Sequence, residues 1–280
     1  MKKHMKVPSV IIGMSIFFLV LVIVCLLFPV INPVDLGATD LTDRLIPPAF
    51  MDGGEGRFVL GTDNLGRDFM KRLIYATRNS LIIATGGIVL AVMIGTVLGA
   101  IAGMKGGTAD NIICFVVDAL LSVPFIIVAI VCAAVFGTAK STMILIMGMT
   151  GWATFARLIR GQILMLREEN YIKCSHALGA SGVRIFFEHI LPNIAAVLLV
   201  HGTISLSSFI LLESSLSFLG LGIQPPDVSL GVMVSSGRDY LINFWWLSIL
   251  PSVVIVTLVL IISLVGDWLR NCLDPKLKNN

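Results

Sequence analysis

Two ionisable side chains break an otherwise apolar stretch in the C-terminal half of the chain. His201 stands inside 190–212, and Glu213 follows it directly. A titratable group at membrane depth is costly and must face protein or water. Each therefore either lines a path for a polar solute or bonds a neighbouring helix as a satisfied buried group, the blander reading. They are twelve positions apart in sequence, three full turns and about 120° more at about 100° per residue, so a shared helix face is expected only loosely. Asp118 is a third such group, and it reads as structural. A polar cluster at Gly61, Thr62, Asp63, Gly66, Arg67 and Asp68 has the chemistry of a turn, because glycine permits positive φ and Asp and Thr bond nearby backbone. It is expected to lead a short helix, 69–75, onto the membrane surface.

Catalytic patterns are missing. Gly137-Thr138-Ala139-Lys140-Ser141 ends like a phosphate-binding loop, but Ala139 replaces the needed glycine, so the segment reads as a turn. There is no His-Glu-x-x-His, Gly-x-Ser-x-Gly or Cys-x-x-Cys, and neither a catalytic residue nor a metal set is assigned. The five cysteines are scattered and read as small apolar filler, not disulfide partners.

The elements that must hold these groups are membrane helices. The 280 residues are 56% hydrophobic and 13% charged, with a mean hydropathy of +0.95. Soluble domains carry about 25% charged residues, and polar residues this few could not cover the outside of a soluble fold. A spanning helix needs about 20 mostly apolar residues. Stretches at 10–31, 81–104, 111–136, 141–160, 190–213 and 241–266 fit or nearly fit. A lone strand in lipid leaves its backbone unpaired, and the short alternating segments of a barrel are not seen. The expected fold is an all-α membrane protein with six transmembrane helices. Lys2, Lys3 and Lys6 precede the first stretch as in a signal peptide, but no Ala-x-Ala site follows Phe28-Pro29-Val30, so an uncleaved anchor is expected.

Lys and Arg near the span ends set orientation. With the N-terminal segment 1–9 in the cytoplasm, twelve basic residues fall inside and eight outside. Most of the outside ones lie in the long loop 32–80, accompanied by seven acidic residues. Both ends, including the tail 276–280, are thus placed in the cytoplasm. In the second stretch Gly87, Ala91, Gly95, Gly99 and Gly103 share a face that admits another backbone closely. Pro124 is expected to kink the third.

The segment 161–189 is too amphipathic to span. Glu168–Leu178 reads as a short helix, 179–182 as a break, and Ser181 as the cap of a second helix whose apolar face is Val183, Phe186, Phe187 and Ile190. Pro192 marks the start of the next span. Such an elbow either rests on lipid headgroups or docks a soluble partner.

This elbow resembles the EAA loop of ABC importer permeases. Ala177, Leu178, Gly179, Ala180, Ser181, Leu191 and Pro192 match, and Lys173-Cys174-Ser175 stands where that motif has Glu-Ala-Ala. Leu60–Asp68, Ser215–Pro226, Gly231, Gly237–Tyr240, Gly266–Arg270 and Asp274-Pro275 narrow the likeness to the C-type permease subunit of the dipeptide/oligopeptide/nickel branch. The resemblance implies a multi-pass protein of the prokaryotic inner membrane forming half of a pore. Its implied partners are a homologous second permease, two ATP-binding subunits and an extracytoplasmic solute-binding protein, with no nucleic acid involved. It implies no cofactor on this chain, with ATP and Mg held by the ATP-binding subunits, and a coupling helix at the elbow seated in an ATPase cleft. His201 and Glu213 are then candidates to line the path, and the 61–68 cluster either caps a helix or meets the binding protein. Peptides are the implied cargo, with nickel or a metal–chelator complex second. A self-contained secondary transporter or channel would need ion-coupling carboxylates and often an inverted repeat, and a membrane enzyme would need the missing catalytic set.

Overall fold

The computed structural model describes residues 9–33 and 35–273. The basic residues before position 9, Asp274-Pro275 and the tail 276–280 lie outside the described residues. Among those described there is no strand, only an isolated bridge between Thr62 and Asp68. The helices are α1 (Ser9–Ile31), α2 (Phe69–Lys105), α3 (Gly107–Ser122), α4 (Phe125–Phe136), α5 (Lys140–Leu166), α6 (Asn170–Ala177), α7 (Gly182–Ile185), α8 (Leu191–Phe218), α9 (Leu230–Gly237) and α10 (Trp246–Leu273). Five of the described helical segments are long and apolar enough to cross a bilayer, and six if the α3–α4 pair is one bent span.

That pair bends by 90°. Val123 is extended and Pro124 has no amide hydrogen to continue the ladder, so the break falls between Ser122 and Phe125. The expected surface helix at 69–75 is instead the first part of α2, which runs unbroken for 37 residues from an Asp68 cap. At about 1.5 Å per residue it is roughly 55 Å long, well beyond a hydrocarbon core of about 30 Å. The polar run Arg78-Asn79-Ser80 does not end it, because Asn79 and Ser80 are buried and bonded to other elements.

The small-residue face of α2 lies along α5. A Cβ added at Gly95 would stand 2.5 Å from the Phe155 Cβ, and one at Gly99 2.6 Å from the Ala156 carbonyl oxygen. The α2–α5 pair is the centre of the bundle, with Ala84, Ala91, Met143, Met147, Phe155 and Ile159 fully or nearly fully buried. α10 packs on α8 and α9, and α1 on α2 and α10. Outward faces carry Phe17, Leu19, Val89, Met93, Ile127 and Val131 exposed, as expected where lipid is the solvent. At the elbow end, Arg160 pairs with Asp110 (2.7 Å) and Arg157 pairs with Asp118, tying α3 to α5.

Candidate functional site

The elbow is built on a buried seam. Ile172 of α6 and Ile185 of α7 join Ile190, Ile194, Ile159 and Ile163 in one cluster against the ends of α5 and α8. α6 ends where Gly179 turns at φ +82°, with Gly179 N donating to His176 O (3.0 Å) and Ala180 N to Ser175 O (3.1 Å). Ser181 caps α7, its hydroxyl accepting from Arg184 N. Ser175 and His189 meet across the elbow at 3.1 Å. Lys173 and Cys174 lie exposed on α6. Lys173 bonds Glu168 at 3.0 Å and holds its carboxyl below the usual carboxylate range. Leu191 and Pro192 open α8.

Of the apolar face expected for the second helix, Phe186 and Ile190 pack inward, and Val183 and Phe187 are corrected. A wide turn at Phe186–Ile190 separates α7 from α8 and shifts the register. Ile185 and Ile190 go inward, while Val183 and Phe187 are 70% and 61% exposed. With Leu178, 88% exposed, they give the elbow an outward apolar tip. Such an exposed apolar tip suits either another protein or lipid headgroups.

The second feature is a half-enclosed cavity of about 450 Å³ between the α3–α4 break, α5 and α8. Leu120, Val123, Pro124 and Phe125 wall it at the break, Thr150, Gly151 and Thr154 on α5, and His201, Ser205, Ser208 and Phe209 on α8. Residues on both sides of the bend, from Leu120 to Val128, contribute to this lining. The hydroxyls could have been found in the sequence: Thr150/Thr154 and His201/Ser205/Ser208 repeat at helical spacing inside apolar spans.

Glu213 does not line this cavity. It is fully buried, accepting from Ser80 Oγ of α2 (2.8 Å) and Ser217 Oγ (2.7 Å). Ser229 Oγ reaches Ser217 Oγ at 3.0 Å, Leu230 N donates to Ser80 Oγ, and Asn79 Nδ2 donates to Val228 O. The carboxylate is thus the hub of a polar clamp joining α2, α8 and the segment before α9. The structure separates His201 from Glu213, and the serine partners come from positions far apart in sequence.

The 61–68 cluster folds as a tight structural turn. Asp63 accepts from Leu65 N (2.9 Å), Arg67 N (3.0 Å) and Arg67 Nε (2.7 Å), and pairs with Arg72 Nε (3.2 Å). Thr62 Oγ1 accepts from Ile46 N (2.9 Å). Asp68 accepts from Lys71 N at the head of α2 (3.1 Å). Gly61 and Gly66 take positive φ, and Gly66 sits against the Asp40 carbonyl with no room for a Cβ. The cluster anchors the long loop to α2.

Comparison with known proteins agrees with this architecture. Residues 95–279 match the family described as "Binding-protein-dependent transport system inner membrane component". The chain is 38% identical to a di/tripeptide transport system permease protein of Pseudomonas aeruginosa, over 95% of this chain and 88% of that one. It is 37% identical to a dipeptide transport system permease protein of Haemophilus influenzae, over 94% and 89% of the two chains. It is 35% identical to an oligopeptide transport system permease protein of Bacillus subtilis, over 94% and 85%. Among solved structures, an inward-facing conformation of the MetNI methionine ABC transporter is similar in fold, with a TM-score of 0.57 at 22% identity, covering 72% of this chain and 96% of that one.

Proposed function

Because this chain belongs to the family of binding-protein-dependent transport system inner membrane components, we propose that it forms half of the pore of an ATP-driven importer of short peptides. An extracytoplasmic binding protein delivers the peptide, a homologous permease completes the pore, and two ATP-binding subunits drive it. The observation that carries this reading is the half-enclosed cavity at the α3–α4 break, a wall that a second, similar subunit would close. The relatives named above give the cargo class, each being a peptide permease by name.

The elbow is then the lever. Its apolar tip of Leu178, Val183 and Phe187 docks on an ATP-binding subunit in the cytoplasm, and α6–α7 pass the movement to α5 and α8 through the isoleucine seam. Such coupling requires contacts that differ between the two states of the motor. The 61–68 turn serves as an anchor for α2, and Glu213 as a clamp within the subunit.

Two experiments test this. In membrane vesicles, accumulation of a radiolabelled dipeptide should require co-expression of the permease partner, the ATP-binding subunits and the binding protein. Accumulation by this chain alone under an ion gradient would refute the reading. Cys174, exposed on α6, should react with a membrane-impermeant maleimide from the cytoplasmic side only, and assembly with the ATP-binding subunits should slow the reaction. Labelling from the exterior would reverse the orientation and remove the lever.

Gly179→Val follows from the same geometry. Nothing lies within 4 Å of a Cβ there, so the cost is the left-handed backbone alone, about 1–2 kcal/mol for a β-branched residue. The bundle should insert at normal abundance, while the turn refolds and the tip is displaced. Uptake should fall at least about tenfold with ATP hydrolysis no longer tied to it, a factor that corresponds to about 1.4 kcal/mol of lost coupling. Normal uptake would remove the lever assignment.

A further inference from the structure

Resting on the peptide-permease reading above, we infer that His201 is a cargo-contacting, specificity-determining residue of the pore wall, a hydrogen-bonding group in a lining otherwise without carboxylates or basic side chains that favours peptides without net charge.

Among the described residues, the lining of the cavity contains no Asp, Glu, Lys or Arg, and His201 is its sole ionisable residue. The α5 hydroxyls are taken up by their own helix, Thr150 Oγ1 donating to Ile146 O at 2.7 Å and Thr154 Oγ1 to Gly151 O at 2.8 Å. His201 differs. Its ring stands edge-on to Phe155, with centroids 4.9 Å apart and planes at 75°, and its Nε2 is buried without a hydrogen-bond partner. A buried ring nitrogen left unpaired costs free energy. A peptide amide or carboxylate in the cavity can remove that cost when the ring turns toward it.

The charge argument is independent of the ring. A peptide with ionised termini and an uncharged side chain carries no net charge, so the two ends compensate each other. A lysine or glutamate side chain adds a charge for which this wall has no counter-charge. In a low-dielectric lining that deficit is larger than in water. A fixed charge introduced at position 201 should therefore reorder the cargoes by sign.

The test uses the full complex in proteoliposomes with its binding protein and ATP, and the dipeptides Ala-Ala, Ala-Lys and Ala-Glu. Affinity of the binding protein for each is measured separately, which removes selection upstream of the pore. His201→Gln should transport Ala-Ala within about twofold of wild type. His201→Leu should lower Ala-Ala uptake by about tenfold, the upper range for one lost hydrogen bond. His201→Lys should raise the ratio of Ala-Glu to Ala-Lys uptake by about tenfold or more, and His201→Glu should lower it as much. If His201→Leu fails to assemble, the two charged variants decide. Wild-type uptake in His201→Leu, or equal effects of Lys and Glu on all three peptides, overturns the inference alone. Failure of the wild-type complex to accumulate any peptide overturns the peptide-permease reading, and this inference with it.

Discussion

Replacing Gly95 with leucine is expected to break the bundle, with destabilisation of about 3 kcal/mol or more, at the upper end for overpacked interiors. The added Cβ alone would stand 2.5 Å from the Phe155 Cβ, 2.8 Å from the Trp152 carbonyl oxygen and 3.0 Å from the Ala156 nitrogen. Two of these atoms are backbone and cannot swing aside, so α2 and α5 must separate. Separation would also loosen the contacts at Gly99, where a Cβ meets the Ala156 carbonyl, and at Gly103, where it meets Ile163. In lipid this loss is not offset by hydrophobic association, because helices there are held by close packing. Thermal unfolding of the detergent-solubilised protein gives the measurement. Gly161 on α5 is the control, with nothing within 4 Å of its Cβ, and Gly161→Ala should be neutral or stabilising by up to about 1 kcal/mol. A Gly95→Leu protein that melts with wild type would show that the helices do not approach this closely.

The second large effect is expected at Glu213. Alanine there removes the acceptor of Ser80 and Ser217 and leaves a void among α2, α8 and the segment before α9. Unsatisfied buried hydroxyls and the void together should cost about 2–4 kcal/mol. Glu213→Gln keeps an acceptor oxygen and the volume, so it should lose less than half as much. A double-mutant cycle with Ser80→Ala should show strong coupling, because both residues act through one bond. If Glu213→Ala kept wild-type stability and lost transport, the clamp would be wrong and a direct role on the path would replace it.

The α2 stripe from Gly87 to Gly103 announced a close helix partner, but nothing local named α5 as that partner. The elbow's break at Gly179 and cap at Ser181 were legible, because positive φ and capping are local chemistry. Its exposed tip was not. The wide turn at Phe186–Ile190 alters the helical register, so periodicity put Val183 and Phe187 on the wrong face. Arg78-Asn79-Ser80 looked like the end of a loop, when Asn79 and Ser80 are interior groups bonded to Val228 O and Glu213. Polar residues in membrane helices read as boundaries until their partners are known.

Composition and local pattern were enough to read a helical membrane protein whose apolar stretches are interrupted by an amphipathic elbow. Those features follow from the exclusion of charge by lipid and from dihedral preferences, which act over a few residues. That Glu213 is clamped inside the subunit while His201 lines a cavity emerges only once the helices are packed. That division depends on which side of α8 meets α2 and on the sharp bend at Pro124, both set by packing between segments far apart in the chain.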